Sequence, residues 1–183
     1  CRVTVPRAST SSSQATSWSV TVSSTRRRWR SWPGTSACLQ VDATPGNSVT
    51  AQRLLIEQCV ATSSSLDTVA GFVANGAQLS VANVVARNNQ GVFLGGINVT
   101  ARNGGHASLS QLSITANLAD VGSPSVYASG LLLNADANGS GIELSNSVIW
   151  GNASDADSKD VSVSGPGISF NRVHYGGLKG TPA

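Results

Sequence analysis

Four stretches of this chain align with one another without a gap. They begin at Val49, Leu79, Ala107 and Ile142, so successive copies start 30, 28 and 35 residues apart. A period of this length constrains the fold more than any other feature, because each copy is one supersecondary unit that buries its apolar face only against the next. The first column of the alignment is Val49, Leu79, Ala107 and Ile142, and two residues on stand Ala51, Val81, Leu109 and Leu144. Apolar positions at a spacing of two describe a strand with one face inside. Two residues further the column turns polar, with Arg53, Asn83, Gln111 and Asn146, and the next apolar column, Ile56, Ala86, Ile114 and Ile149, lies three residues beyond that. An odd step reverses the inward parity, so the polar column marks a bend, and Asn is the non-glycine residue best suited to a left-handed backbone there. The spacing predicts a strand, a tight corner and a second strand.

A second block precedes each of these segments and opens on Gly71, Gly96 or Gly130, with a worn fourth copy at Gly165. Alternation puts Phe72 and Ala74, Ile97 and Val99, and Leu131 and Leu133 on one face. Three short strands per period make one coil of a solenoid, whose parallel neighbours stack at about 4.8 Å. Insertions such as Asn117 to Tyr127 fall between the blocks, where loops belong. The column Cys59, Asn89, Asn117 and Asn152 is expected to stack side-chain amides along the axis. A helix-pair repeat would need helix formers at a period near 3.6, whereas these segments are rich in Ser, Val, Asn, Thr and Gly.

The run Leu144 to Asn152, repeated in weaker form upstream with Gly-led strands between, resembles the right-handed parallel β-helix repeats of pectin-lyase-like proteins from bacterial surfaces and secretions. The resemblance covers about residues 45–178. It implies an all-β chain forming a right-handed parallel β-helix of about four to five coils, in a secreted or bacterial cell-surface setting. It implies little about activity, because the fold hosts lyases, hydrolases, adhesins and large surface proteins alike.

Charge divides the chain. The whole carries 12 basic and 9 acidic residues, a net of +3. Residues 1–41, however, hold six Arg and no acid, three of the four Trp and no Asn. Residues 1–44 are therefore expected to form a basic arm outside the repeat, and residues 45–183 the β-helix, an excerpt of a longer solenoid. The absence of Met and the start at Cys1 point the same way, to a processed form or an excerpt. The arm has two further readings. Its Arg and Trp could meet phosphates and bases, or the segment could be translated from a shifted reading frame. The reading preferred is an arm with no nucleic-acid partner. Charged residues make up only 11% and apolar residues 40%, which argues against a disordered polyelectrolyte. No apolar run approaches the roughly 18 residues of a membrane span. Three Cys without C-x-x-C spacing define neither a disulfide framework nor a zinc site.

Candidate chemistry is sparse. Outward positions four after the leading glycines are Asn75, Thr100 and Asn134, the candidate ligand-binding row. Six after them come Ala77, Arg102 and Asp136. Arg102 and Asp136 would be neighbours on adjacent coils, either a base with its charge partner at a sugar groove or a solvated cross-coil salt bridge of roughly 0–1 kcal/mol. No paired Asp of a galacturonase type occurs, and Asn103 to His106 departs from that family's Gly-His-Gly element. No cofactor is expected; Asp155, Asp157 and Asp160 are the one cluster where Ca²⁺ would find oxygens, without the Gly and Glu of an EF-hand. Three sequons begin at Asn98, Asn138 and Asn152. The leading reading is a non-catalytic scaffold or adhesin-like fragment that contacts polysaccharide or surface glycan. The alternative is a polysaccharide lyase or glycoside hydrolase. Uncapped coil ends predict end-to-end self-association.

Overall fold

A computed structural model of the chain describes residues 2–4, 16–21, 36–61, 68–119, 128–153 and 159–182. They form an all-β solenoid of about four turns, with every strand pair parallel. β1 (Arg2–Thr4) and β2 (Thr16–Thr21) stack ahead of the first three-strand turn, which comprises β3 (Ser36–Ala43), β4 (Asn47–Glu57) and β5 (Val60–Ala61). The second comprises β6 (Thr68–Asn75), β7 (Gln78–Arg87) and β8 (Gln90–Gly91), and the third β9 (Leu94–Arg102), β10 (His106–Thr115) and β11 (Leu118–Ala119). After these come β12 (Leu131–Ala135) and β13 (Gly141–Trp150), then β14 (Val161–Ser164), β15 (Ile168–Tyr175) and β16 (Leu178–Lys179).

Three sheets run along the axis. Sheet A is ordered β1-β3-β6-β9-β12-β14-β16, sheet B is β15-β13-β10-β7-β4-β2, and sheet C is β11-β8-β5. The repeat alignment is the register of sheet B: Val49 pairs with Leu79, Leu79 with Ala107, and Ala107 with Ile142. The sheet B strands β4, β7, β10, β13 and β15 contain the expected corner. Arg53, Asn83, Gln111 and Asn146 have φ of 58°, 54°, 55° and 48°, and Arg172 extends the column at 55°. A left-handed residue turns its own side chain outward and brings the next one in, so Leu54, Val84 and Leu112 are buried behind the bend. Strand, corner and second strand are thus one continuous element folded at a single residue.

Inside, Leu39, Ala70, Ile97, Leu131 and Val161 stack in register, as do Val41, Phe72, Val99, Leu133 and Val163. All ten are buried. At roughly 25 cal/mol per Å² of apolar area removed from water, such columns supply the cohesion between coils.

Three expectations need correction. First, the coil containing Gly71 is out of step by two residues. Gly71 pairs with Asn98, because the register shifts between Thr68 and Ala70. A step of two preserves the inward face, so Phe72 and Ala74 remain buried, but the Gly-led alignment survives only for the second and third copies, Gly96 and Gly130, since Gly165 follows the residue opposite Asn134. There the glycines serve close approach: a Cβ on Gly96 would collide with the Gly130 carbonyl, and one on Gly130 with the Asn152 amide. Second, the solenoid does not begin at residue 45. β3 lies within the segment expected to be an arm, its Leu39, Val41 and Ala43 are buried, and β1 and β2 pair with β3 and β4. The Arg-rich run at 26–30 lies outside the described residues. Third, Cys38 and Cys59 form a disulfide across a separation of 21 residues, with Cα atoms 6.3 Å apart. An odd Cys count conceals such a pair, and only the folding of β3 against the β4–β5 corner brings the two together.

Candidate functional site

Asp136 anchors the turn between sheets A and B. It follows β12 directly, and its carboxylate accepts from Ser140 Oγ at 2.6 Å, Asn103 N at 2.8 Å, Asn138 N at 3.1 Å and Asn138 Nδ2 at 3.2 Å. The bond to Asn138 N is an Asx-type closure two residues on, and the bond to Asn103 N ties this turn to that of the preceding coil. These donors, the Ser140 hydroxyl first and the Asn103 N–H next, hold the carboxyl well below its usual range, at about 2.

The expected pairing of Arg102 with Asp136 is therefore replaced. Adjacent placement is correct, since Ala101 pairs with Ala135, but no ion pair joins the two among the described residues. Nearby neutral donors already occupy the Asp136 oxygens, and the Arg102 side chain is exposed. A cross-coil ion pair runs instead from Arg87 Nη2 to Glu57 Oε2 at 3.0 Å, and its exposure limits it to roughly 0–1 kcal/mol.

Of the ligand-binding row, Thr100 and Asn134 are paired neighbours, whereas Asn75 stands opposite Arg102. Asn75 Oδ1 accepts from Asn103 Nδ2 at 2.7 Å. Ala77, expected to face outward on the next row, is buried in the turn. The outer face of sheet A is also partly covered: Leu132, which alternation points outward, is buried with Leu94 and Ala128, and Phe93 packs against them. Asn98, Thr100 and Asn134 are consequently only half-exposed.

The acidic cluster separates in the same way. Asp155 and Asp157 lie outside the described residues. Asp160 is buried, and its Oδ1 accepts from Asn152 N at 2.8 Å and Asn152 Nδ2 at 2.7 Å. It terminates the amide ladder formed by Asn89, Asn117 and Asn152, in which the Nδ2 of each Asn donates to the next Oδ1 at 2.8 Å until Asp160 is reached. The described residues contain no group of three or more His, Cys, Asp or Glu side chains able to hold a metal.

An open groove of about 570 Å³ crosses the outer face of sheet B, before the corner. The sequence reading missed it. Its sides carry Gln78, His106, Ser108, Glu143 and Ser169, and Gly141 and Gly167 leave room for it. Register creates this arrangement. His106 pairs with Gln78 on one side and Gly141 on the other, and Ser108 with Glu143, which in turn pairs with Ser169. The His106 ring leans over Gly141, so that a Cβ there would lie 2.9 Å from His106 Nδ1. The signal was present in the sequence as a column of long polar side chains interrupted by glycine. Beyond the corner, Trp150 is 52% exposed and stacks on His174 with centroids 5.0 Å apart and planes 23° from parallel. The two histidines thus stand on different coils and different limbs of the sheet. No protein-family model, no curated protein and no solved structure matches this chain.

Proposed function

We propose that this chain is a non-catalytic β-helix scaffold of pectin-lyase-like type, belonging to a secreted or cell-surface bacterial protein, and that it contacts polysaccharide through the sheet B groove. The groove carries the reading. It is open to solvent along its length and offers an imidazole, an amide, two hydroxyls and one carboxylate to a polyhydroxylated chain. Because every coil repeats the same strand, the groove runs across parallel strands and suits an extended polymer better than a compact metabolite. The Cys38–Cys59 disulfide supports an oxidising, extracytoplasmic compartment.

One observation favours the enzymatic alternative, a polysaccharide lyase or glycoside hydrolase: His106 and Glu143 share the groove. A glycosidase of the usual kind needs two facing carboxylates, and Glu143 is the only one on this lining, which favours binding over hydrolysis. The test is a glycan array followed by calorimetry on the full chain, with polygalacturonate and alginate assayed for turnover. Binding without turnover is expected, with Gly141→Val filling the groove and weakening affinity by about tenfold, or 1.4 kcal/mol. Trp150→Ala, on the other limb, should leave that affinity intact. An array without signal would overturn glycan contact, and turnover lost on His106→Ala would establish the enzyme instead.

A further inference from the structure

The sheet A to sheet B turn carries Asn-Gly at the same place in three coils: Asn75-Gly76, Asn103-Gly104 and Asn138-Gly139. Asn followed by Gly is chemically vulnerable, because glycine hinders neither the approach of its own backbone nitrogen to the preceding side chain nor the turn that this approach requires. Attack needs that nitrogen to be free of hydrogen bonding, and the three sites differ on this point. Gly76 N donates to Arg102 O at 2.9 Å, and Gly104 N donates to Ser140 Oγ at 3.1 Å. Asn103 is further fixed by its bond to Asn75. Gly139 N has no hydrogen-bond partner among the described residues. Asn138 and Gly139 are exposed, Gly139 sits at φ 72°, and nothing lies within 4 Å of where its Cβ would be. The longer turn of this coil, from Asp136 to Ser140, lifts its Asn-Gly step out of the stack that protects the other two.

We propose that Asn138 is a site of spontaneous, self-catalysed backbone modification. The Gly139 nitrogen gives up its proton and forms a bond to Asn138 Cγ, the Cγ–Nδ2 bond breaks, and Nδ2 takes up one proton from solvent and leaves as ammonia. Water then opens the cyclic imide at either carbonyl, giving aspartate or isoaspartate. No oxidant or cofactor takes part. Among the described residues, the Asn138 Nδ2 bond to Asp136, at 3.2 Å and exposed, is the one polar restraint on the leaving amide. Its loss has a consequence. The product sets a second carboxylate against Asp136, whose oxygens also hold Asn103 N and Ser140 Oγ. Modification therefore loosens the joint between the third and fourth turns, and the surface that flanks Gly141 and the groove, with the age of the protein.

The experiment is a time course of the full chain at mildly alkaline pH, mapped by peptide mass spectrometry with enzymatic isoaspartate detection. Conversion at Asn138 is expected about tenfold ahead of Asn103 and Asn75, the factor that about 1.4 kcal/mol of hydrogen-bond opening supplies. The same chain in urea should lose the difference. Gly139→Ala should slow Asn138, and Ser140→Ala, by freeing Gly104 N, should speed Asn103. Equal rates at the three sites in the folded chain, or conversion led by Asn75 or Asn103, would overturn the proposal. So would an Asn138 that stays intact while the urea-unfolded chain converts.

Discussion

Asn117 Nδ2 donates to Asn152 Oδ1 at 2.8 Å across one coil, and the same Oδ1 accepts from Asn117 N at 3.1 Å. The second Nδ2 hydrogen reaches back to Ala86 O at 3.0 Å in the coil before. Each buried Asn of the column thus joins three successive coils and leaves none of its own amide hydrogens unpaired. Burial of so polar a group is tolerated because its bonding is complete. The column is also directional: it starts at Cys59, whose N–H donates to Asn89 Oδ1 at 3.0 Å, and ends on the Asp160 carboxylate, which only accepts.

Asn117→Leu should therefore destabilise the fold by about 2–4 kcal/mol, since Asn89 N and Nδ2 would lose their buried acceptor and Ala86 O the Asn117 amide. Asn88→Gly, one residue from the column, exposed and at φ 53°, should change stability by less than about 1 kcal/mol. Urea denaturation of both variants measures the contrast, and equal effects would remove the ladder's special role.

Gly151 occupies the second left-handed column, with Gln58, Asn88 and Ala116, at φ 68°, and its Cβ position is open space. Any cost of a side chain there is backbone strain alone. Gly151→Val is expected to lose about 1–2 kcal/mol, and Gly151→Asn distinctly less. The same denaturation assay reads the order of the two.

Asp136 titrates at about 2 in the folded chain, below its unfolded value. Its hydrogen bonds accordingly stabilise the fold above the ordinary carboxylate range, and that contribution disappears as pH falls from about 4 toward 2. Asp136→Asn should flatten this acid limb of the stability curve. Ser140→Ala, which removes the largest cause of the shift, should raise the Asp136 pKa toward normal in a carboxyl NMR titration.

Reduction of Cys38–Cys59 should cost about 2–4 kcal/mol by releasing the loop of 21-residue separation that pins β3 to the sheet C corner. The loss is expected in thermal melts with reductant and should be matched by Cys38→Ser with Cys59→Ser. An unchanged melting temperature would show that β3 is held by its apolar column alone.

Much of this architecture is written locally. A column such as Val49, Leu79, Ala107 and Ile142 fixes register, because a slip of one residue would turn four apolar side chains into water. The odd step to Ile56 and its counterparts announces a left-handed corner, and Arg53, Asn83, Gln111 and Asn146 adopt it. The amide ladder was legible for the same reason, as a repeated Asn at constant distance from the corner. What the repeat does not specify is how irregular connections choose among competing partners. The bulge between Thr68 and Ala70 moved Asn75 opposite Arg102, the loop after Asn152 delivered Asp160 as the ladder's end, and Asp136 took four neutral donors in place of one guanidinium. The sheet B groove belongs to this second class: His106, Glu143 and two glycines on three coils meet only through the stacking. Periods of two residues and of about thirty are local properties of the chain, and they fix the coil and the inward or outward facing of the repeat columns. The tertiary structure alone decided which outward groups meet, because that depends on loop lengths and on hydrogen bonds won in space.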